Sequence, residues 1–266
     1  MENKNALGRV HSIESFGTVD GPGIRLVIFL QGCPMRCLYC HNPDTWNAMG
    51  GSETSVSEII SEYEKNRAFY KAGGITVTGG EPLWQIDFVT ALFREARMRD
   101  IHTCIDTSGI TFNEKNEECV RRFDELMKYT SLVMLDIKHI DTEKHKTLTG
   151  VGNDNVLAFA RYLEKKKVPL WVRHVVIEGY TDDEADLTRL GEFIGSLSNL
   201  TALDVLPYHT LGVKKYEELG LEYPLKGLAP LQKEKALEAK QTILAAIKKV
   251  RKKPSPAGEG GPRSGG

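Results

Sequence analysis

The chain has 266 residues, of which 41% are hydrophobic, and its 35 Lys and Arg residues are balanced by 36 Asp and Glu residues. This length suits one large domain with a sizeable core, and a net charge of −1 argues against general nucleic-acid binding, which needs a basic excess. Without an apolar run of the roughly 18 residues that a membrane span needs, or a secretory signal, we expect a cytoplasmic protein whose five cysteines are free, metal-bound or redox-active.

Six short apolar runs are predicted to be β-strands, and helical patterns separate them. In chain order the runs are 24–30, 74–78, 101–106, 132–137, 170–177 and 202–206. Near-continuous apolar runs are typical of parallel strands buried on both faces. Apolar stripes with helical spacing cover 88–96, 156–163 and 236–250. The alternation predicts right-handed βαβ units in an α/β fold, as an open barrel or a doubly wound sheet.

Polar side chains follow the predicted strands at their carboxyl ends. A cysteine cluster follows the first strand, Glu81 the second and His209 the last, while Asp106 and the Asp136–Lys138 segment end the third and fourth. In a parallel barrel these ends lie at one mouth, where the chemistry gathers. We therefore expect these residues to converge on one site.

Three cysteines, Cys33, Cys37 and Cys40, lie within eight residues on the loop after the first strand. Thiolates suit zinc, copper(I) and iron–sulfur clusters. A cubane cluster normally takes four protein sulfurs, so three would leave one iron open to an external ligand. The spacing favours an iron–sulfur cluster at this loop.

Other interpretations of the loop remain open. Cys37, Cys40 and His41 match a covalent haem attachment signature, although that leaves Cys33 unexplained. A zinc site would need adjacent ligands at Cys40 and His41, where a spacer is usual. Cys37 and Cys40 also fit a redox dithiol. We assign neither Cys104, inside an apolar strand, nor Cys119, on a predicted helix, to a site.

Several separated motifs, in this order, resemble the radical S-adenosylmethionine superfamily. The C-x3-C-x2-C loop is followed by Thr78-Gly79-Gly80-Glu81-Pro82, and the resemblance extends from about Gly8 to about Gly212. Further matching segments are 17–25, 29–33, 37–42, 106–109, 134–138, Arg173 and 206–209. Within the superfamily the pattern is most similar to the glycyl-radical-enzyme activases that act on pyruvate formate-lyase.

The resemblance implies a partial, open (β/α)6 TIM-like barrel with a parallel sheet. It implies an oxidoreductase with a [4Fe–4S] cluster on Cys33, Cys37 and Cys40, whose open iron holds S-adenosylmethionine. An electron from reduced flavodoxin or ferredoxin would cleave that cofactor, and the 5′-deoxyadenosyl radical would take hydrogen from a glycine of pyruvate formate-lyase. We expect a monomer with a catalytic domain over residues 1–253 and a disordered Gly/Pro/Ser-rich tail over 254–266.

The resemblance also assigns site residues. Those that it places against S-adenosylmethionine are Tyr39, Cys40, His41, Gly80, Asp136, Ile137, Lys138, Arg173 and His209. Asp106, Thr107 and Asp136 would hold a monovalent cation, K⁺, since hard oxygen ligands suit a cation; the alternative is a capping Asp-Thr pair. Asp20 would receive the partner's glycine loop, or is an ordinary turn residue before Gly-Pro.

The cysteine count indicates a subgroup. Many activases carry an inserted ferredoxin-like module, which two cysteines outside the first loop cannot supply, and the stretch from Cys40 to Gly79 is too short for it. This favours the pyruvate formate-lyase type. Rival predictions are a radical enzyme acting on another glycyl-radical protein or on a small molecule, and a non-catalytic zinc-binding module.

Overall fold

The computed structural model describes residues 6–252, and these form one eight-stranded sheet. The strands run in the spatial order β3-β1-β2-β4-β5-β6-β7-β8. Their bounds are β1 Leu7–Gly17, β2 Arg25–Leu30, β3 Ser52–Ser55, β4 Gly74–Gly79, β5 His102–Thr107, β6 Leu132–Asp136, β7 Leu170–Val176 and β8 Leu200–Pro207. The predicted tail at 254–266 lies outside the described residues.

All six predicted strands are present, as β2 and β4 to β8, and all five pairings among them are parallel. Their spatial order follows their chain order without a reversal. A doubly wound sheet reverses its strand order at a switch point, so the sheet is the other candidate, a partial barrel. In residues 6–252 the outer strands, β3 and β8, do not pair with each other, which leaves the barrel open.

Within residues 6–252, eight α-helices connect and cover the strands. They are α1 Val56–Lys65, α2 Ile86–Arg97, α3 Glu117–Met127, α4 Thr142–Thr149, α5 Asp154–Lys165, α6 Glu184–Gly195, α7 Val213–Glu218 and α8 Lys233–Lys252. Single turns of 3-10 helix lie at Pro43–Thr45, Arg67–Tyr70 and Pro82–Gln85. The predicted stripes fall on α2, α5 and α8, and they pack into the core. None of these helices in 6–252 is both long and apolar enough to cross a membrane.

Two strands, β1 and β3, are absent from the sequence prediction. Both are antiparallel additions at one side of the sheet. β3 is Ser-Glu-Thr-Ser, without an apolar residue, and most of β1 is half-buried or exposed. A search for apolar runs detects strands buried on both faces, and these edge strands are not.

Candidate active site

The carboxyl ends of the parallel strands surround a cavity of about 230 Å³. It brings together all but three of the residues that were expected at the site, namely Ile137, Asp20 and Glu81. The residues that line it are Cys33, Met35, Cys37, Tyr39, Cys40, His41, Asn42, Thr78, Gly79, Gly80, Asp106, Thr107, Ser108, Asp136, Lys138, Arg173, Val175, Leu206, Pro207 and His209.

Backbone hydrogen bonds to neighbouring elements hold the cysteine loop in place. The amides of Arg36 and Leu38 donate to the carbonyls of Thr149 and Leu148 at the end of α4, each at 2.9 Å. The Gly32 amide donates to Thr45 O at 2.8 Å, which closes the loop on itself. The loop is therefore a fixed platform for its cysteines.

The three cysteines of the loop are free thiols on one wall of the cavity. Burial raises the pKa of Cys33 to about 12 and that of Cys37 to about 11, so without a metal these thiols are protonated at neutral pH. Within the described chain no three His, Cys, Asp or Glu side chains are grouped to hold a single metal ion. Three soft sulfur donors around a shared cavity fit a group larger than one ion, as an iron–sulfur cluster is.

Glycines allow the end of β4 to touch the cysteine loop. A Cβ at Gly80 would lie 2.5 Å from Gly32 O and 3.1 Å from Thr45 O. At Gly79, which has a φ of +118°, it would lie 2.3 Å from the Leu30 amide nitrogen. Only glycine fits so close to main-chain atoms. Gly80 thus lets the strand end approach the cysteine loop, Gly79 lets it approach β2, and both glycines line the cavity.

Asp136 and Lys138 extend from the end of β6 and form the predicted ion pair, with Lys138 Nζ 3.0 Å from Asp136 Oδ2. The ammonium lies 5.6 Å from the ring centroid of Tyr39. Burial by itself would raise the pKa of Asp136, but Lys138 and Arg173 outweigh it and hold that pKa below its usual value. Asp136 is therefore a carboxylate, and a cation faces it inside the cavity.

Arg173 on β7 donates to Asp106 on β5, with Nη1 3.0 Å from Oδ2. Thr78 donates to the same oxygen at 2.9 Å. Burial raises the pKa of Asp106 in spite of these partners. The Arg173 Nε is buried without a partner, so the guanidinium keeps one donor that the protein does not use.

His41 and His209 stack at the other side of the cavity. Their ring centroids are 4.0 Å apart and the planes differ by 9°. His41 Nε2 lies 3.2 Å from the carbonyl oxygen of His209. Burial is the main cause that lowers the pKa of His41 to about 4, and the charge of His209 is the second. The His41 ring in this stack is therefore neutral at pH 7.

Glu81 does not join the described lining of the cavity, contrary to the expectation that the polar strand-end residues converge. Its buried carboxylate accepts from Thr107 Oγ1 at 2.5 Å, from the Ser108 amide at 3.0 Å and from the Leu83 amide at 3.1 Å. Four hydrogen bonds from nearby donors satisfy the Glu81 carboxyl group, and those from Thr107 and Ser108 link the end of β4 to the end of β5.

Asp20 lies on the loop between β1 and β2, and Arg25 fixes this loop. The fully buried Arg25 guanidinium donates to Thr76 Oγ1 at 2.5 Å and to Pro22 O at 2.9 Å. Burial raises the pKa of Asp20, and Arg173 opposes that effect. Asp20 is not among the residues that line the cavity.

Sequence reasoning assigned no role to some lining residues, among them Asn42 and Ser108. Both lie inside matching segments, Asn42 at the end of 37–42 and Ser108 within 106–109. Their positions next to the ends of a strand or of the cysteine loop could have indicated that they line the site. Arg25 was noted only as part of a motif, and its burial was not predicted.

Comparisons with known proteins agree with this geometry. The family model described as the Radical SAM superfamily matches residues 27–190. The pyruvate formate-lyase-activating enzyme of Staphylococcus epidermidis is 50% identical over 87% of this chain and 93% of its own length. That of Listeria monocytogenes is 49% identical over 86% of this chain and 92% of its own length.

A solved structure gives a similar result. A domain of the pyruvate-formate lyase-activating enzyme from Bacteroides vulgatus superposes with a TM-score of 0.52 at 26% identity. It covers 66% of this chain and 95% of the solved chain. The open parallel sheet is therefore shared with a protein of that name.

Proposed function

This chain belongs to the Radical SAM superfamily and, within it, to the pyruvate formate-lyase-activating enzymes, and on that premise we propose which of its residues perform the reaction. It is an enzyme that uses a [4Fe–4S] cluster and S-adenosylmethionine to activate pyruvate formate-lyase. When bound, these groups supply one-electron cleavage of the sulfonium and removal of a hydrogen atom from a glycine of the partner. The remaining work of binding and orientation belongs to the protein.

Cys33, Cys37 and Cys40 are the residues that we propose to hold the cluster. They are free thiols, they line one cavity, and main-chain bonds fix their loop. Burial raises the pKa of these thiols and favours their protonated form. Metal binding would favour the thiolates instead, because the thiolate is the form that binds a metal. The loop therefore supplies three rigid sulfur donors and no fourth.

Lys138, Arg173 and Asp136 provide the charges for an amino acid headgroup. The Lys138 ammonium and the unpartnered Arg173 Nε are donors that suit a carboxylate. Asp136 is an acceptor that suits an amine or a hydroxyl group. The ion pair between Asp136 and Lys138 keeps both side chains oriented before any ligand enters.

The remaining assigned residues shape the walls. Tyr39 is held beneath the Lys138 ammonium, and Gly80 leaves a backbone surface open to the cavity. His41 and His209 present a flat, neutral stack that suits a purine ring. Ile137 is fully buried, so we propose contact through its main chain.

Asp106, Thr107 and Asp136 remain our proposal for a monovalent cation site. The two carboxylates line the same cavity as the Thr107 side chain. The Thr107 hydroxyl donates to Glu81 and accepts from the Gly109 amide at 2.8 Å. Its oxygen would have to give up the Gly109 bond, or share it, to bind K⁺.

We propose that Asp20 contacts the glycine loop of pyruvate formate-lyase, because the charge of the cavity residue Arg173 acts on its carboxyl and lowers its pKa against the effect of burial. Reduced flavodoxin or ferredoxin is the proposed electron donor, and the proposed active form is a monomer in the cytoplasm. The catalytic domain proposed for residues 1–253 agrees with the single sheet of 6–252.

The convergence of three thiols and the ends of several parallel strands on one cavity carries this proposal. The test is anaerobic reconstitution with iron and sulfide, followed by reduction and addition of S-adenosylmethionine. We expect 5′-deoxyadenosine by chromatography and, with pyruvate formate-lyase present, a glycyl radical by electron paramagnetic resonance.

Two cysteine variants provide the comparison. Cys37→Ala should abolish both products, whereas Cys119→Ala, on α3 outside the cavity, should retain them. A folded wild type that binds zinc and leaves S-adenosylmethionine intact would overturn the assignment. Release of 5′-deoxyadenosine without any glycyl radical on the partner would redirect it to another substrate.

A further inference from the structure

The last turn of α4 holds the backbone on both sides of Cys37. The amides of Arg36 and Leu38 donate to the carbonyls of Thr149 and Leu148, each at 2.9 Å. The last carbonyls of a helix have no partner within the helix, so these two are available to a neighbouring segment. The position of the Cys37 backbone therefore depends on where α4 ends and on how its last carbonyls are oriented.

A histidine fixes the turn that ends α4. The helix ends at Gly150, which has a φ of +85°, the left-handed conformation that reverses the chain at many helix ends. Just beyond it, the carbonyl oxygen of Val151 lies 2.7 Å from His145 Nδ1. A carbonyl oxygen can only accept, so Nδ1 carries the hydrogen and donates it. The His145 ring thereby binds the segment that follows α4 back onto the helix.

The polar contacts of the His145 ring are at Nδ1. The residue is 0% exposed, and burial lowers its pKa, so the ring is neutral at pH 7. Its other nitrogen, Nε2, is buried, and no group in residues 6–252 bonds to it. The Thr149 hydroxyl lies 3.1 Å from Nδ1 and donates to His145 O at 2.8 Å. The donor at Nδ1 is therefore what this side chain contributes beyond packing.

These contacts connect the ring to the cysteine loop in two steps. His145 holds the turn at Val151, and the carbonyls before that turn hold both neighbours of Cys37. We propose that His145 is a positioning residue that acts through the last turn of α4 to fix Cys37 for cluster binding. Groups that orient a metal ligand from behind typically change metal affinity about 10–100-fold. The inference rests on the proposed ligation by Cys33, Cys37 and Cys40.

The experiment compares two replacements of His145 in the full chain. His145→Leu removes the donor at similar size, whereas the side-chain amide nitrogen of His145→Asn can take the place of Nδ1. In the cluster-free protein, amide hydrogen exchange at Arg36 and Leu38 should be about tenfold faster in His145→Leu, with β6 unchanged. After reconstitution, a chelator should remove iron from this variant about tenfold faster. His145→Asn should restore both rates.

Two further variants test the same helix without changing the buried ring. Thr147→Val is the matched control, because Thr147 is exposed and its hydroxyl donates to Glu143 O at 3.0 Å within α4; it should behave as the wild type. At Gly150 a Cβ would meet Arg36 Cβ at 4.0 Å, which is no clash, but the positive φ is strained for alanine. Gly150→Ala should therefore speed exchange at the same two amides.

Several results would contradict the inference. One is unchanged exchange at Arg36 and Leu38 in His145→Leu or in Gly150→Ala. Another is an acceleration that β6 shares, because that is a loss of global stability. Equal effects of His145→Asn and His145→Leu would assign the role to packing and overturn the hydrogen bond. A wild type that assembles no cluster defeats the proposed ligation instead, and iron and sulfide analysis detects that separately.

Discussion

Arg173 and Asp106 form an ion pair across an intervening strand, with Nη1 on β7 lying 3.0 Å from Oδ2 on β5. On the strand between them, Asp136 is the register partner of Arg173. Burial on its own would lower the pKa of Arg173, yet the two carboxylates outweigh it and raise that pKa. One guanidinium therefore compensates two acidic groups in the wall of the cavity.

Removal of this guanidinium should destabilise the fold. Arg173→Met leaves Asp106 and Asp136 without their shared cation, and breaking a buried pair in this way costs about 3–5 kcal/mol. Urea denaturation measures the loss. Arg173→Met combined with Asp106→Asn should recover much of it, whereas Arg121→Met in the exposed pair with Glu118 should change little. A double variant as unstable as the single one would contradict this account.

Lys138→Met should weaken S-adenosylmethionine binding. A charge-assisted hydrogen bond is worth about 1.5–3 kcal/mol, so KM for the cofactor should rise about tenfold or more. The measurement is 5′-deoxyadenosine formation at several cofactor concentrations, with the cluster content of each sample determined. Lys214→Met, with a side chain that is 83% exposed, is the control. An unchanged KM in Lys138→Met would exclude the headgroup role.

Gly80→Ala should disturb the cysteine loop. The added Cβ would lie 2.5 Å from Gly32 O, and a main-chain atom cannot rotate away. Such overpacking costs about 1–3 kcal/mol, and we expect reduced iron and sulfide content after reconstitution. Gly152→Ala is the comparison, since its Cβ meets only the Thr142 methyl group at 3.3 Å. Full cluster content in Gly80→Ala would show that the loop tolerates the shift.

His102 should make stability fall in mild acid. Burial, then the charges of Arg25 and Arg97, lowers the pKa of His102 to about 4, below the usual value of about 6.5. Between these values the unfolded chain binds more protons, so stability rises with pH across that window. His102→Gln should flatten this part of the profile, as urea denaturation of the metal-free protein at several pH values would show. An identical slope in both proteins would be the contrary result.

The sequence was most informative where strands are buried on both faces. β5 and β6 were predicted within one residue of their observed bounds. The pattern did not distinguish a barrel from a doubly wound sheet, because strand order in space is a long-range property. β3, with only polar residues, forms through pairing with β1 and not through a preference of its own.

The site was predictable to the level of residues but not of contacts. Asp136 and Lys138 are two positions apart on one strand, so their pairing follows from the alternation of side chains. The stack of His41 on His209 joins residues 168 positions apart, and only the tertiary fold brings them together. Glu81 is a residue that the motif places at the mouth of the barrel but that does not line the cavity. Its carboxyl group accepts hydrogen bonds from the nearby Thr107 and Ser108 hydroxyl groups instead.

In the part of the chain that the structure describes, the outer edges of β3 and β8 are unpaired, and this has a topological consequence. A closed ring of strands admits only what enters through its ends, so a polypeptide would have to thread a free terminus into it. A sheet whose first and last strands stay apart has a lateral opening as well. A residue in the middle of another folded chain can then be inserted sideways as a loop, with both flanking segments remaining outside.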